Sequence, residues 1–296
     1  MTLVSPPDLS RYARFVQRTG RLGGRWVLAW PAVILGIFFV IPFLLLLRVS
    51  VAESGFGAMG NGGFTAASYL AAFQNDVFVY SVVFSVVLAA VVALISIAAG
   101  FPFTYAITRM SRRAQVCWLV FVLMTLSLSE VLITFAWQVM LAKRVGISNL
   151  LVWLGLMAEP VSLSPNLGAV LACLVYLVIP FTVLVLFPGM SRIDPQMAEA
   201  ARTMGATPAR TFFTIIVPIM RGPIVTCLMM SFIVGIGSYV APMVLGRPEH
   251  WTVAILISKA ATASNDMPLA SAMSVLFLAV ASVICLIIYR LGVRKV

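Results

Sequence analysis

The chain has 296 residues, 62% of them hydrophobic and 10% charged, with a net charge of +11 and a mean hydropathy of +1.08. Soluble domains carry about 25% charged residues, so this composition excludes an ordinary water-soluble enzyme and describes a polytopic membrane protein. The basic excess sits at the ends of apolar runs, as the positive-inside rule expects, and so argues against nucleic acid as a partner.

Residues 1–25 form a basic segment with Arg11, Arg14, Arg18, Arg21 and Arg25 against Asp8. The apolar run Trp26–Leu47 follows, long enough at 1.5 Å per residue to cross roughly 30 Å of hydrocarbon. No small-residue cleavage site follows a short apolar core, so this run reads as an uncleaved first span with a cytosolic N-terminus. A single transmembrane domain is predicted over 26–296. Its later spans fall at about 77–107, 116–142, 166–190, 223–245 and 269–289.

The glycine-rich stretch 54–63 reads as a mobile connection, and 64–73 is more helix-like. Gly100 and Pro102 are expected to bend or end the second span. The third span carries Glu130 near its middle. Between 145 and 160, Ile147, Leu150, Leu151, Leu154 and Met157 recur at helical spacing over too few residues to span, which predicts a helix at the outer surface. Pro180 and Pro188 fall in the fourth span. Gly235 and Gly237 mark close-packing or hinge points in the fifth. With both ends in the cytosol, Arg48, Lys143, Arg144, Arg247 and Lys259 fall outside, leaving fifteen of the twenty Lys and Arg inside.

The most polar internal segment runs from Asp194 to Pro218. Asp194-Pro195 and Thr207-Pro208 each read as an N-cap with proline at the first helical position. Gly205 lies between them, where the first helix needs a left-handed stop. The prediction is an elbow of two short helices, within a cytosolic connection over 191–218.

These residues carry a resemblance. Glu199-Ala200-Ala201, three residues, Gly205, nine residues and Ile215-x-Val217-Pro218 resemble the EAA signature of ABC importer permeases, with Val217 where the pattern usually has leucine. GFPFTYAITR (100–109), the stretch 145–160, the lead-in 177–195 and GSYVAPMVLG (237–246) resemble further stretches of the same family, and of its spermidine/putrescine-type members most. Phe101 replaces a tyrosine there and Thr108 an alanine. The resemblance spans roughly 64–290. It implies an all-α, six-span type I importer permease. Its elbow would dock into an ATPase through Glu199, Ala200, Ala201, Gly205 and Pro218. The implied partners are an ABC ATPase dimer carrying ATP and Mg, a second permease chain, a solute-binding protein on the exported side and the lipid bilayer of the bacterial inner membrane. A non-identical second chain is favoured, because Glu130 is unique and the family precedent is asymmetric. The implied cargo is a polyamine; ferric iron, phosphonate or another anion is the alternative within the class, and an ATP-independent secondary transporter the remote one.

The chemistry-bearing residues are few. Lys143, Lys259 and Lys295 are the lysines, and none follows a glycine, so the chain has no P-loop of its own. It is read as a transport subunit rather than an enzyme, with no cofactor or metal. His250, beside Glu249, reads as a solvated surface histidine. Cys117, Cys173, Cys227 and Cys285 read as small hydrophobes. For Glu130 two readings stand open. One is a carboxylate lining the pathway for a cationic substrate. The other is a protonated or hydrogen-bonded residue beside Ser127, Ser129 or Thr134. The family comparison is divided here, since Ile133 stands where the group often carries arginine. Trp137, Tyr176 and Tyr239 are candidates for cation–π contacts on the same pathway, against the commoner role of packing.

Overall fold

A computed structural model describes residues 30–53, 63–143, 146–155 and 158–293. The basic segment 1–25, the start of the first span at Trp26, most of the stretch 54–63, Arg144, Met157 and the tail from Arg294 lie outside the described residues. In chain order the helices are α1 (Trp30–Ser50), α2 (Ala67–Gln74), α3 (Asp76–Thr108), α4 (Arg112–Ser127), α5 (Glu130–Met140), α6 (Ile147–Trp153) and α7 (Leu167–Met190). There follow α8 (Pro195–Thr203), α9 (Pro208–Ile219), α10 (Arg221–Ile236), α11 (Val240–Leu245), α12 (Val253–Thr262) and α13 (Met267–Val293). The helices α1, α3, α7 and α13 are each long and apolar enough to cross a membrane. Two bent pairs, α4–α5 turning by 93° and α9–α10 by 76°, bring the total to six.

The long helices start on polar caps that satisfy their first amides. Asn75 Oδ1 accepts from the N–H groups of Val77 and Phe78 at the head of α3. Asn166 Oδ1 accepts from Ala169 N–H at 2.7 Å at the head of α7.

The centre of the bundle is the trio α3, α7 and α10, each packed on the other two. Lipid tails are as apolar as leucine, so close approach rather than the hydrophobic effect holds such helices together. Gly235 shows it: a Cβ there would lie 3.2 Å from Ala89 Cα on α3. One core level joins Leu88, Val92, Val170, Leu174, Val178, Ala241 and Leu245. Towards the elbow a second joins Phe101, Leu186, Met190, Ile216, Met220 and Cys227. The outer helix α1 leans on α13; its side chains Trp30, Phe38 and Phe39 stay exposed, as lipid-facing residues should.

The structure corrects the sequence reading in four places. The second span neither stops nor breaks at Pro102, because α3 runs on to Thr108. Phe101 is locked into the elbow-end core, and packing of this kind lets membrane helices absorb a proline. The third span is two helices, with Leu128 and Ser129 extended between them; Glu130 therefore opens α5 rather than sitting mid-helix. Thr125 and Ser127 turn their hydroxyls back onto the carbonyls of Val122 and Leu123, a pattern that weakens helices. The fifth span is interrupted after Ile236: Gly237 caps α10, and Ser238 N–H closes a tight turn onto Gly235 C=O. The fourth correction is His250, in the segment 247–268 that contains α12 packed on α13 and α3. Within it His250 is no solvated surface residue. Its side chain is 14% exposed, its Nδ1 accepts from Arg247 N–H, and its ring stacks on Phe84.

Candidate functional site

The elbow is built by its caps. Asp194 Oδ1 accepts from Gln196 N–H at 2.9 Å, and Pro195 opens α8. The helix closes when Ala206 N–H reaches back to Ala201 C=O at 3.0 Å, with Gly205 at φ +83°. That is the six-to-one closure that a left-handed residue permits. Thr207 Oγ1 then accepts from Arg210 N–H, and Pro208 opens α9. Glu199 and Ala200 are exposed, while Ala201 turns inward. Pro218 sits in the last turn of α9, just before the 76° bend into α10. Two apolar residues that sequence reasoning passed over stand out beside them: Met204 is 88% exposed and Phe213 68%.

Halfway along α7 lies a cavity of about 230 Å³. Leu128, at the break between α4 and α5, and Ser238, at the break between α10 and α11, both line it. Irregular backbone at membrane depth is tolerated where it is buried in protein or lines a cavity, and both interruptions meet this one. Its walls are mostly apolar, including Ile133, Leu174, Leu177, Phe181 and Val234. Glu130 is the one charged side chain among the described lining residues.

Helix ends of both signs meet at the cavity. Thr125 and Leu126 come from the last turns of α4, and Val234 from the last turn of α10, so two helix C-termini present their negative ends. Pro180, on the cavity wall, has no N–H to give to the carbonyl one turn back, that of Tyr176, which also lines the cavity. The positive N-terminus of α5 is met by Glu130 in its own first turn. Thr134 Oγ1 donates to the backbone carbonyl of Glu130; no described side chain hydrogen-bonds or ion-pairs with the carboxylate.

A second cavity, of about 410 Å³, adjoins the first through shared walls at Leu128, Ile133 and Tyr176. Trp137 and Tyr176 line it with their rings edge to face, centroids 6.0 Å apart. The structure thus brings Glu130, Trp137 and Tyr176 to two adjoining hollows, with Tyr176 on the wall of both. Tyr239 is not among the residues lining either part; it sits at the N-cap of α11. Sequence reasoning missed Ser238, whose signal was its place directly after Gly237, the residue already marked as a hinge point.

Residues 94–296 match the family of binding-protein-dependent transport system inner membrane components. The chain belongs to this permease family. The permease is 26% identical over 256 residues to the spermidine/putrescine transport system permease protein PotB of Haemophilus influenzae, covering 86% of this chain and 89% of that one. It is 22% identical over 255 residues to PotB of Escherichia coli, covering 86% and 92%. A solved bacterial ABC transporter importing the acidic polysaccharide alginate superposes with a TM-score of 0.76 at 18% identity, over 96% of this chain and 99% of that one. The alginate transporter with its pentasaccharide-bound periplasmic protein gives 0.74 at 17% identity, over 95% and 98%. At these identities the solved structures speak for the fold, which is that of a type I importer permease. The permease is a multi-pass membrane subunit of an ABC importer and not an enzyme; in this family ATP hydrolysis belongs to a separate subunit.

Proposed function

We propose that the permease forms half of the pathway for a polyamine, received from a binding protein and driven through by ATP. One observation carries this reading. The cavity at the two helix breaks combines apolar walls with a lone carboxylate and converging helix C-termini. A polyamine alternates methylene runs with ammonium groups, and such a hollow suits both parts. An anion such as phosphonate would call for Lys or Arg at the walls. The polyamine permeases among its relatives support the same substrate class.

In this reading the elbow faces the cytosol, both chain ends lie on that side, and the threefold bias of Lys and Arg supports the orientation. Glu199, Ala200, Ala201, Gly205 and Pro218 present the elbow to an ATPase subunit, where ATP and Mg reside. Exposed Met204 and Phe213 supply apolar anchors for that contact. A second permease chain, non-identical because a single Glu130 marks this half, completes the pathway.

The test is ATP hydrolysis by the reconstituted complex, stimulated by binding protein loaded with spermidine, putrescine, ferric iron or an anion. Stimulation by a polyamine alone is expected. Stimulation by an anion alone would keep the importer and discard the cation pathway.

A further inference from the structure

The buried hydroxyls of this bundle are mostly spoken for. Thr104 donates to Gly100 C=O, Thr134 to Glu130 C=O and Thr182 to Val178 C=O, each to the carbonyl one turn back. Ser238 cannot follow them, because it stands outside the helix that ends at Ile236. Its backbone is fully engaged: its N–H donates to Gly235 C=O, and its C=O accepts from Thr252 Oγ1 at 2.9 Å. Its Oγ is left over. The residue is 6% exposed and the hydroxyl has no hydrogen-bond partner. A buried hydroxyl without a partner costs stability and calls for a reason. Ser96 and Thr211 share that condition, but neither lines this cavity, whereas Ser238 does, together with Glu130.

We infer that Ser238 is a selectivity residue of the cavity, accepting an N–H from a substrate ammonium group that Glu130 attracts by charge. The inference rests on the polyamine reading and narrows it. Charge and apolar walls treat every organic cation of similar length alike. A serine hydroxyl does not: its lone pairs need an N–H, which primary and secondary ammonium groups have and quaternary ones lack. As placed the oxygen is covered by its neighbours, and contact with substrate requires a change of χ1 between staggered positions that turns it towards the hollow. The break after Ile236 therefore does more than interrupt a helix. It frees one side chain from intrahelical bonding and places it, on a backbone pinned by Thr252, where N–H groups can be counted.

The experiment uses the whole transporter, with both permease chains and the ATPase but without binding protein, so that the pathway rather than the delivery protein does the selecting. Radiolabelled spermidine is competed by unlabelled spermidine and by spermidine fully N-methylated at all three nitrogens, which keeps the charge and removes every N–H. A hydrogen bond to a charged group corresponds to roughly 10- to 100-fold in affinity, and wild type should favour spermidine by that factor. Ser238→Ala should bring the two competitors close to parity, and Ser238→Thr should retain the preference. An unchanged preference in Ser238→Ala, or parity in wild type, would overturn the inference while leaving the polyamine reading intact. Loss of assembly in both variants would make Ser238 a structural residue and overturn it as well. A wild-type complex that hydrolyses ATP yet binds no spermidine would remove the polyamine reading, and this inference with it.

Discussion

The rings of Phe101 and Phe212 meet edge to face, with centroids 5.3 Å apart. Phe101 belongs to α3 and Phe212 to the π-helical turn that opens within the second elbow helix. Tyr105, one turn further along α3, meets the same Phe212 ring at 5.4 Å. The elbow is thus gripped by the end of the central helix, and this ring joins Ile216 and Met220 in coupling the elbow to the bundle core. Each such aromatic pair contributes about 0.5–1.5 kcal/mol beyond burial. Phe212→Ala should leave the complex assembled and hydrolysing ATP while lowering substrate moved per ATP by roughly fivefold or more, the two pairs lost to α3 amounting to about 1–3 kcal/mol. Uptake and hydrolysis measured on the same proteoliposomes check it; an unchanged ratio would deny the ring a transmitting role.

Gly205 offers a cleaner test of the elbow, because nothing lies within 4 Å of the position a Cβ would take. Crowding is excluded, so only the backbone at φ +83° can object to a side chain. A left-handed residue other than glycine costs about 1–2 kcal/mol, and asparagine tolerates the region best. Gly205→Ala should weaken co-purification of the ATPase, with Gly205→Asn intermediate between it and wild type. Equal loss in both would show that bulk at the docking face, not backbone conformation, matters there.

The elbow was readable because its signals are local. Asp194, Thr207, the two prolines after them and Gly205 each act within a few residues, and each does in the structure what its chemistry dictates. The broken spans were not readable from hydropathy, since an apolar window averages over Leu128 and Ser129 without registering the turn. A signal was nevertheless present: Ser129 followed by Glu130 is a helix start with an acid in its first turn, the same grammar as Asp194 with Pro195 reversed in emphasis. Pro102 misled in the opposite direction, whereas Pro180 and Pro188 lie inside the fourth span as read. Pro102, Pro180 and Pro188 all lie inside continuous helices, because tertiary contacts hold helices that local propensity would end. His250 was misread for a related reason, since the ring of Phe84 that covers it comes from far along the chain.

Glu130 opens into the cavity with no described cationic partner to satisfy it, and a membrane-embedded carboxylate in that position is a functional residue by default. Glu130→Gln keeps the shape and removes the charge. Uptake of a cationic substrate should fall by at least about tenfold, since a unit charge about 4 Å away at an effective dielectric of about 20 contributes about 4 kcal/mol, while assembly with the ATPase stays normal. Glu130→Asp should recover part of the loss. If Glu130→Gln transports spermidine as wild type does, the cavity is not the cation pathway.

The last prediction concerns what holds the second break in place. Thr252 is fully buried, and its hydroxyl ties the head of α12 to the Ser238 carbonyl at 2.9 Å. One residue on, Val253 N–H donates to Ser85 Oγ on α3 at 3.0 Å. Two adjacent hydrogen bonds thus clamp α12 between the interrupted helix and the central one. Thr252→Val preserves volume but leaves the Ser238 carbonyl without its donor, a loss of about 1–3 kcal/mol for a buried group. Ser85→Ala strands the Val253 amide at similar cost. Each should lower the midpoint of thermal inactivation of the purified complex by a few degrees, with Thr252→Ser close to wild type. Because both bonds hold the same helix end, the double variant should lose less than the sum of the two, as neighbouring sites in one network do. Strict additivity would mean that α12 is held elsewhere and that Ser238 owes its position to the α10–α11 turn alone.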